Sequence, residues 1–221
     1  HPDAGKTTLK QIPATQIELE LVFPTLRGRD IERWHISQKI FVLNVQNEKN
    51  KTGIDEAIMK NDYPKAYEYL TNYKDILQNR KSRSAKMVFQ KGGAWYSMYD
   101  VILESLAEIK VVWRRMGNKF KAAVCTTERV GLKEDSVLKP IIPIDNVCFI
   151  AFDNTEEAYY VSAILNSMLF RYILYSSSPS GRGLATPRIL KNFSIKKYSE
   201  RKQEHKDLAE LALKCHEYAS T

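Results

Sequence analysis

At 221 residues the chain is long enough to bury a substantial core and suits one domain, or one domain with a small helical appendage. Its 43% hydrophobic and 10% aromatic content exclude a disordered chain, and its formal net charge of +8 points towards a polyanionic partner. The three widely spaced cysteines, Cys125, Cys148 and Cys215, form no C-x-x-C pair, which argues against a disulfide framework or a thiolate metal site and for reduced thiols in a cytoplasmic protein.

Residues 1 to 16 lack periodicity and read as an N-terminal lead-in. Within them Pro2-Asp3-Ala4-Gly5-Lys6-Thr7-Thr8 imitates a phosphate loop. Such a loop needs a strand before it and a helix after it, whereas His1 stands first and Pro13 follows soon. Asn118-Lys119-Phe120-Lys121 also has lysine where a guanine-reading N-K-x-D motif has aspartate, so nucleotide binding is not expected. No secretory leader is read there either.

Ile17 to Val22 alternates as a strand that Pro24 should end. The run Leu26-Arg27-Gly28-Arg29-Asp30-Ile31-Glu32-Arg33-Trp34 follows, three arginines around a glycine. Glycine permits a positive φ or the close approach of a partner, and a guanidinium grips phosphate or a guanine edge with two parallel hydrogen bonds. The plainer reading is a surface turn whose arginines pair with their own acids. Ile36 to Val45 is a second strand and 44 to 52 a loop. Gly53-Ile54-Asp55 opens a helix that Tyr63-Pro64 interrupts, and Pro64 starts another running to about Asn79, with Ala66, Tyr69, Leu70, Tyr73 and Leu77 on its core face.

Arg80 to Lys91, with five basic residues, no acid and a Gly92-Gly93 end, reads as a mobile basic loop. Trp95, Tyr96 and Tyr99 beside it could wedge at a base step or equally pack a core. Ile109 to Trp113 is a strand by β-branching, Gly117-Asn118 a hairpin tip, and Phe120 to Cys125 the return strand. Pro140 and Pro143 bracket a turn, and Val147 to Phe152 is a further strand. A helix capped by Asn154 or Thr155 runs to about Tyr175; Ser162, Asn166, Ser167 and Arg171 interrupt the apolar stretch Val161 to Leu174, so no membrane span is expected. Ser176 to Gly183 is a loop, Thr186-Pro187 starts a short helix, and Ser199 to Tyr218 is amphipathic. The expected fold is mixed α/β (α+β): one domain of mixed strands and peripheral helices over 17–198, and a C-terminal helix in 199–221.

Basic residues cluster in three glycine-containing loops (27 to 33, 80 to 93, 114 to 121) and in a C-terminal stretch. If they share a face they would neutralise phosphates and reach base edges. The candidate DNA contacts are Arg27, Arg29, Arg33, Arg80, Lys81, Arg83, Arg114, Arg115, Lys119, Arg182, Arg188 and Lys191; Lys196 and Lys197 read more simply as solvated charges. Asp100, Glu108 and Lys110 fit the D…E-x-K pattern of metal-dependent nucleases. With Ile109 in a core, Glu108 and Lys110 would lie together on the opposite face, as they would on a solvated strand edge. His35, His205 and His216 show no catalytic partner, and no catalytic or metal-ligating set is expected.

The LRGRDI turn, the Y-P-x-x-Y-x-Y-L helix at Tyr63 to Leu70, the strand Ile109 to Trp113, Ile164-Leu165-Asn166-Ser167 with Phe170, and Thr186-Pro187-Arg188-Ile189-Leu190-Lys191-Asn192-Phe193-Ser194-Ile195 follow one another over residues 20 to 200. In order and spacing this series resembles the C-terminal specificity (target-recognition) domain of TaqI-like type II DNA adenine-N6 methyltransferases of restriction-modification systems. The resemblance implies sequence-specific reading of duplex DNA. The glycine loop and the N/D-P-P-F/Y motif of the catalytic half do not occur in these residues. It therefore implies a chain that is not itself an enzyme, partnered with an N-terminal methyltransferase domain that binds S-adenosylmethionine. The alternatives are a module binding RNA or an acidic partner, and the metal-dependent nuclease.

Overall fold

The computed structural model describes residues 16–38, 40–46, 52–99, 102–117, 119–132, 134–144, 146–177, 186, 190 and 193–221. The fold is mixed α/β, several small sheets with helices and a long C-terminal helix. It divides into two compact units, one drawn from His1–Val22 and Leu43–Val101, the other from Phe23–Val42 and Ile102–Thr221.

The first unit is helical. Asp55 caps α1 (Glu56–Asp62), its carboxylate accepting the Ala57 N–H at 2.8 Å. In α2 (Pro64–Thr71) proline takes the first position, and the N–H groups of Lys65 and Ala66 reach the Glu18 carboxylate at 2.9 and 2.8 Å, a cap supplied from a distant part of the chain. The helix expected to run on to Asn79 is broken: the Asn72 amide donates to the carbonyls of Glu68 and Tyr69, competing with the helical ladder, and α3 (Lys74–Gln78) restarts after Tyr73. Next comes α4 (Arg83–Gln90), where a mobile loop was expected. Leu21, Val45, Met59, Ala66 and Tyr96 form the core, with Leu70, Leu77 and Trp95 packed against it.

The second unit holds the sheets. The strands are β1 (Val22–Leu26), β2 (Ile31–Glu32), β3 (His35–Ile36), β4 (Ile40–Leu43), β5 (Ile109–Arg114), β6 (Ala122–Cys125), β7 (Thr127–Val130), β8 (Val137–Pro140), β9 (Ile142–Pro143) and β10 (Val147–Phe152). They assemble as β4-β1-β9, β10-β5-β6 and the hairpins β2-β3 and β7-β8. The strand expected over Ile17 to Val22 lies later in the chain. A 3-10 turn occupies Leu19–Leu21, and Pro24 sits inside β1 rather than ending it. Only Thr25 and Leu26 pair with β9, so the missing Pro24 N–H costs no bond on that side.

Strand β5 is covered on both faces. Val111 and Trp113 enter one core and Val112 the other, as the period of two requires. Helices α5 (Thr155–Asn166), α6 (Met168–Ser177) and α7 (Gln203–Ser220) complete the unit. Asn154 caps α5 through Glu157 N–H at 3.1 Å. The single helix expected through Tyr175 breaks at Ser167, which turns extended and caps α6 through the Phe170 N–H at 3.1 Å. Of the helix expected from Thr186-Pro187, Thr186 and Leu190 are among the described residues; Leu190 is helical and its N–H reaches the Thr186 carbonyl at 3.4 Å.

Strand β6 ends its sheet, yet three of the backbone groups that it turns away from β5 are occupied. The Asn166 side chain accepts the Ala122 N–H at 3.2 Å and donates to the Ala122 carbonyl at 2.8 Å. That carbonyl also takes the Trp34 N–H at 3.1 Å, and the Val124 N–H donates to His216 Nε2 at 2.8 Å. Trp34, at the β2-β3 turn, has φ of 68°, uncommon for so bulky a residue, and its ring meets His216 edge-on at 5.3 Å. With Nε2 accepting, His216 carries its proton on Nδ1, 2.7 Å from the Ala212 carbonyl.

Burial holds the His216 pKa below its ordinary value; the bond to Ala212 opposes that shift and nearby His35 adds to it. The unfolded chain then takes up a proton that the folded one refuses, so this stability is whole above about pH 6.5 and is lost as pH falls below it. The resistance of the second unit to urea is expected to fall between pH 7 and 5.5. His216→Gln, which keeps an acceptor for Val124, should flatten that slope; an unchanged slope would take His216 out of the account.

Candidate nucleic-acid interface

In the second unit the arginine turn is a 3-10 turn, Gly28–Asp30, entered from β1 and left through β2. Arg27 is held by Asp30: its Nε and backbone N–H both reach Oδ2 at 2.9 Å and a terminal nitrogen reaches Oδ1 at 3.0 Å. Burial alone would raise the Asp30 pKa, but the hydrogen bonds and charge of Arg27, with Arg29 behind them, bring it below the usual value. Gly28 is buried, and its need is close approach: a Cβ there would stand 2.9 Å from the Asn146 carbonyl oxygen. The Gly28 carbonyl accepts Arg114 Nε at 2.8 Å.

That bond ties the arginine turn to the end of β5. A second tie joins Lys121 to Glu32. The loops at 27–33 and 114–121 are thereby brought together, with exposed Arg29 rising from one and exposed Arg115 and Lys119 from the other. Arg33 is turned to internal use, donating to the Asn166 carbonyl at 2.9 Å with its guanidinium 5.5 Å from the Trp34 ring centre. Lys196 and Lys197 are exposed, whereas Arg182, Arg188 and Lys191 lie outside the described residues.

In the first unit Arg80 is a buttress. Its guanidinium donates to the carbonyls of Leu77, Trp95 and Ser97 at 2.7, 3.0 and 2.8 Å and lies 5.3 Å from the Phe89 ring centre and 5.6 Å from that of Tyr99. Lys81 and Arg83 are exposed beside it. Tyr96 is core, its hydroxyl donating to the Ile54 carbonyl at 2.6 Å, and Trp95 packs edge-on against it, so these two rings are not free to wedge at a base step.

The nuclease pattern is not assembled. Both faces of β5 are packed, so Lys110, expected beside Glu108 on an outer face, is fully buried and donates to the Ala107 carbonyl, while Glu108 is exposed. Burial lowers the Lys110 pKa and the nearby Cys125 opposes it; burial raises the Cys125 thiol to about 12. Asp100 lies outside the described residues, among which no three His, Cys, Asp or Glu side chains are placed to hold a metal ion. Nor is any helix among them long and apolar enough to cross a membrane.

No protein-family model matches the chain. Over 154 residues, 68% of the chain, it is 27% identical to the type II methyltransferase M.MjaIV of Methanocaldococcus jannaschii, and the match spans about half (47%) of that relative's length. The chain is thus distantly related to a type II methyltransferase.

Proposed function

We propose that these residues form the duplex DNA-reading domain of a cytoplasmic restriction-modification adenine-N6 methyltransferase, whose transfer chemistry resides in a separate N-terminal domain. The observation that carries the reading is the methyltransferase similarity in a stretch that contains no Pro-Pro pair, and so no N/D-P-P-F/Y motif, together with exposed Arg29, Arg115 and Lys119 on two adjoined loops. S-adenosylmethionine, held by that separate domain, would supply the methyl group. In the polar cleft lined by Thr52 to Glu56 and Gly92 to Trp95 both acids serve the fold, Asp55 capping α1 and Glu56 holding Tyr67 and Lys60. The part of these residues is to hold phosphates with exposed cations and to offer guanidinium groups to base edges while the other domain acts on an extruded adenine.

Selection from random duplex DNA at two salt concentrations tests this. One short adenine-containing motif should rise above a salt-sensitive background. Arg29→Ala should weaken binding to that motif about tenfold more than to random duplex, and Lys196→Ala should weaken both alike. Salt-sensitive binding with no motif enriched would sink the recognition reading.

A further inference from the structure

No acidic residue stands between Asp75 and Asp100, and within that span the chain forms α4. Its inner side is Ala85, fully buried, flanked by half-buried Val88 and Phe89. Its outer stripe is Arg83, Lys86, Met87 and Gln90, spaced i, i+3, i+4 and i+7 and all exposed, with Lys81 and Lys91 exposed at the ends. None of these four cations joins an ion pair among the described residues.

The helix is fixed at both ends. Ser82 Oγ accepts the Ala85 N–H at 3.1 Å. At the other end Gly93 N–H reaches the Val88 carbonyl at 3.0 Å and Gly92 N–H the Phe89 carbonyl at 2.9 Å, a Schellman closure with Gly92 at φ of 78°. A Cβ on Gly93 would stand 2.5 Å from Val88 Cγ1, so the glycine pair is needed there. Arg80 anchors the turn before the helix and stacks on Phe89 within it.

We propose that α4 enters the major groove of duplex DNA and that Arg83, Lys86 and Gln90 read base edges there, with Arg80 as the positioning residue behind them. The inference rests on the DNA-recognition reading and names an element that performs it. With its side chains an α-helix is about 10–12 Å across, which the roughly 12 Å width of the B-form major groove admits. The stripe carries the donors that suit guanine O6 and N7, an amide that pairs with adenine N6 and N7 through two bonds, and in Met87 an apolar contact for a thymine methyl. The deep, narrow major groove of A-form RNA admits no helix, so the stripe suits DNA.

The test compares the 221-residue chain with R83A, K86A and Q90A in the duplex selection, followed by affinity measurements on the selected and a random duplex. These side chains are exposed, so each variant should keep the parent circular dichroism spectrum. Gln90→Ala removes no charge, so it should leave random-duplex affinity unchanged, lower cognate affinity about tenfold and relax one adenine position. Arg83→Ala and Lys86→Ala should lower cognate affinity about tenfold more than random. If the parent selects a motif and all three variants select it equally well, or lose both affinities alike, α4 is not the reader while the domain's function stands. If the parent selects no duplex motif, or prefers structured RNA, both readings fall.

Discussion

Asn166→Leu is expected to destabilise the sheet-bearing unit by about 3 kcal/mol, seen as a lower urea midpoint at unchanged denaturant slope. Leucine is close in volume, so the loss comes from polarity. The wild-type amide is fully buried and makes a reciprocal pair of bonds with the Ala122 backbone. Without it the Ala122 N–H is buried and unpartnered, at about 1–3 kcal/mol, and one further bond is gone. The Ala122 carbonyl keeps Trp34, which limits the damage. Asn166→Asp should be worse, because it places a charge against that same carbonyl. A cost under 1 kcal/mol for the leucine variant would show that water reaches this edge.

Arg80→Ala should destabilise the helical unit by about 3 kcal/mol, each charge-assisted bond contributing roughly 1.5–3 in full burial and less at this half-buried site. Three carbonyls lose their donor and two rings lose the guanidinium between them. Arg80→Lys should rescue little, since an ammonium point charge does not span three acceptors as the planar fork does. Thermal unfolding with tryptophan fluorescence reads the change, because Trp95 lies beside the guanidinium. A variant that melts like the parent but loses affinity for cognate and random duplex alike would return Arg80 to the list of phosphate contacts.

The class of fold and four strands, β4, β5, β6 and β10, are legible because β-branched runs such as Ile109 to Trp113 and turn residues such as Gly117 mark themselves, whereas Pro140 and Pro143, which read as brackets of a turn, end β8 and β9. In sequence, α4 reads as a loop because its basic composition outweighs its grammar. The signals were there: Ser82 as cap, Ala85, Val88 and Phe89 at helical spacing, and Gly92 as terminator. Other features have no local signature. Lys110 is interior only because β5 is packed on both faces, and Asn166 matters only because, among the described residues, no strand pairs with β6 on its far side. Among the candidate contacts, nothing in sequence separates exposed Arg83, Arg115 and Lys119 from Arg27, Arg33, Arg80 and Arg114, whose guanidinium groups hold the protein's own acceptors. That division depends on carbonyls and carboxylates that only the folded chain places.

The closure of β6 also sets a schedule for synthesis. Its three contributors sit at residues 34, 166 and 216, so a chain leaving the ribosome completes the sheet β10-β5-β6 well before the last of them arrives. Until α7 folds back, the Val124 N–H is open to any extended segment nearby, including one from a neighbouring nascent chain. The C-terminal helix therefore acts during translation as a latch, and a ribosome stalled before residue 216 would release the form of this protein most prone to aggregate.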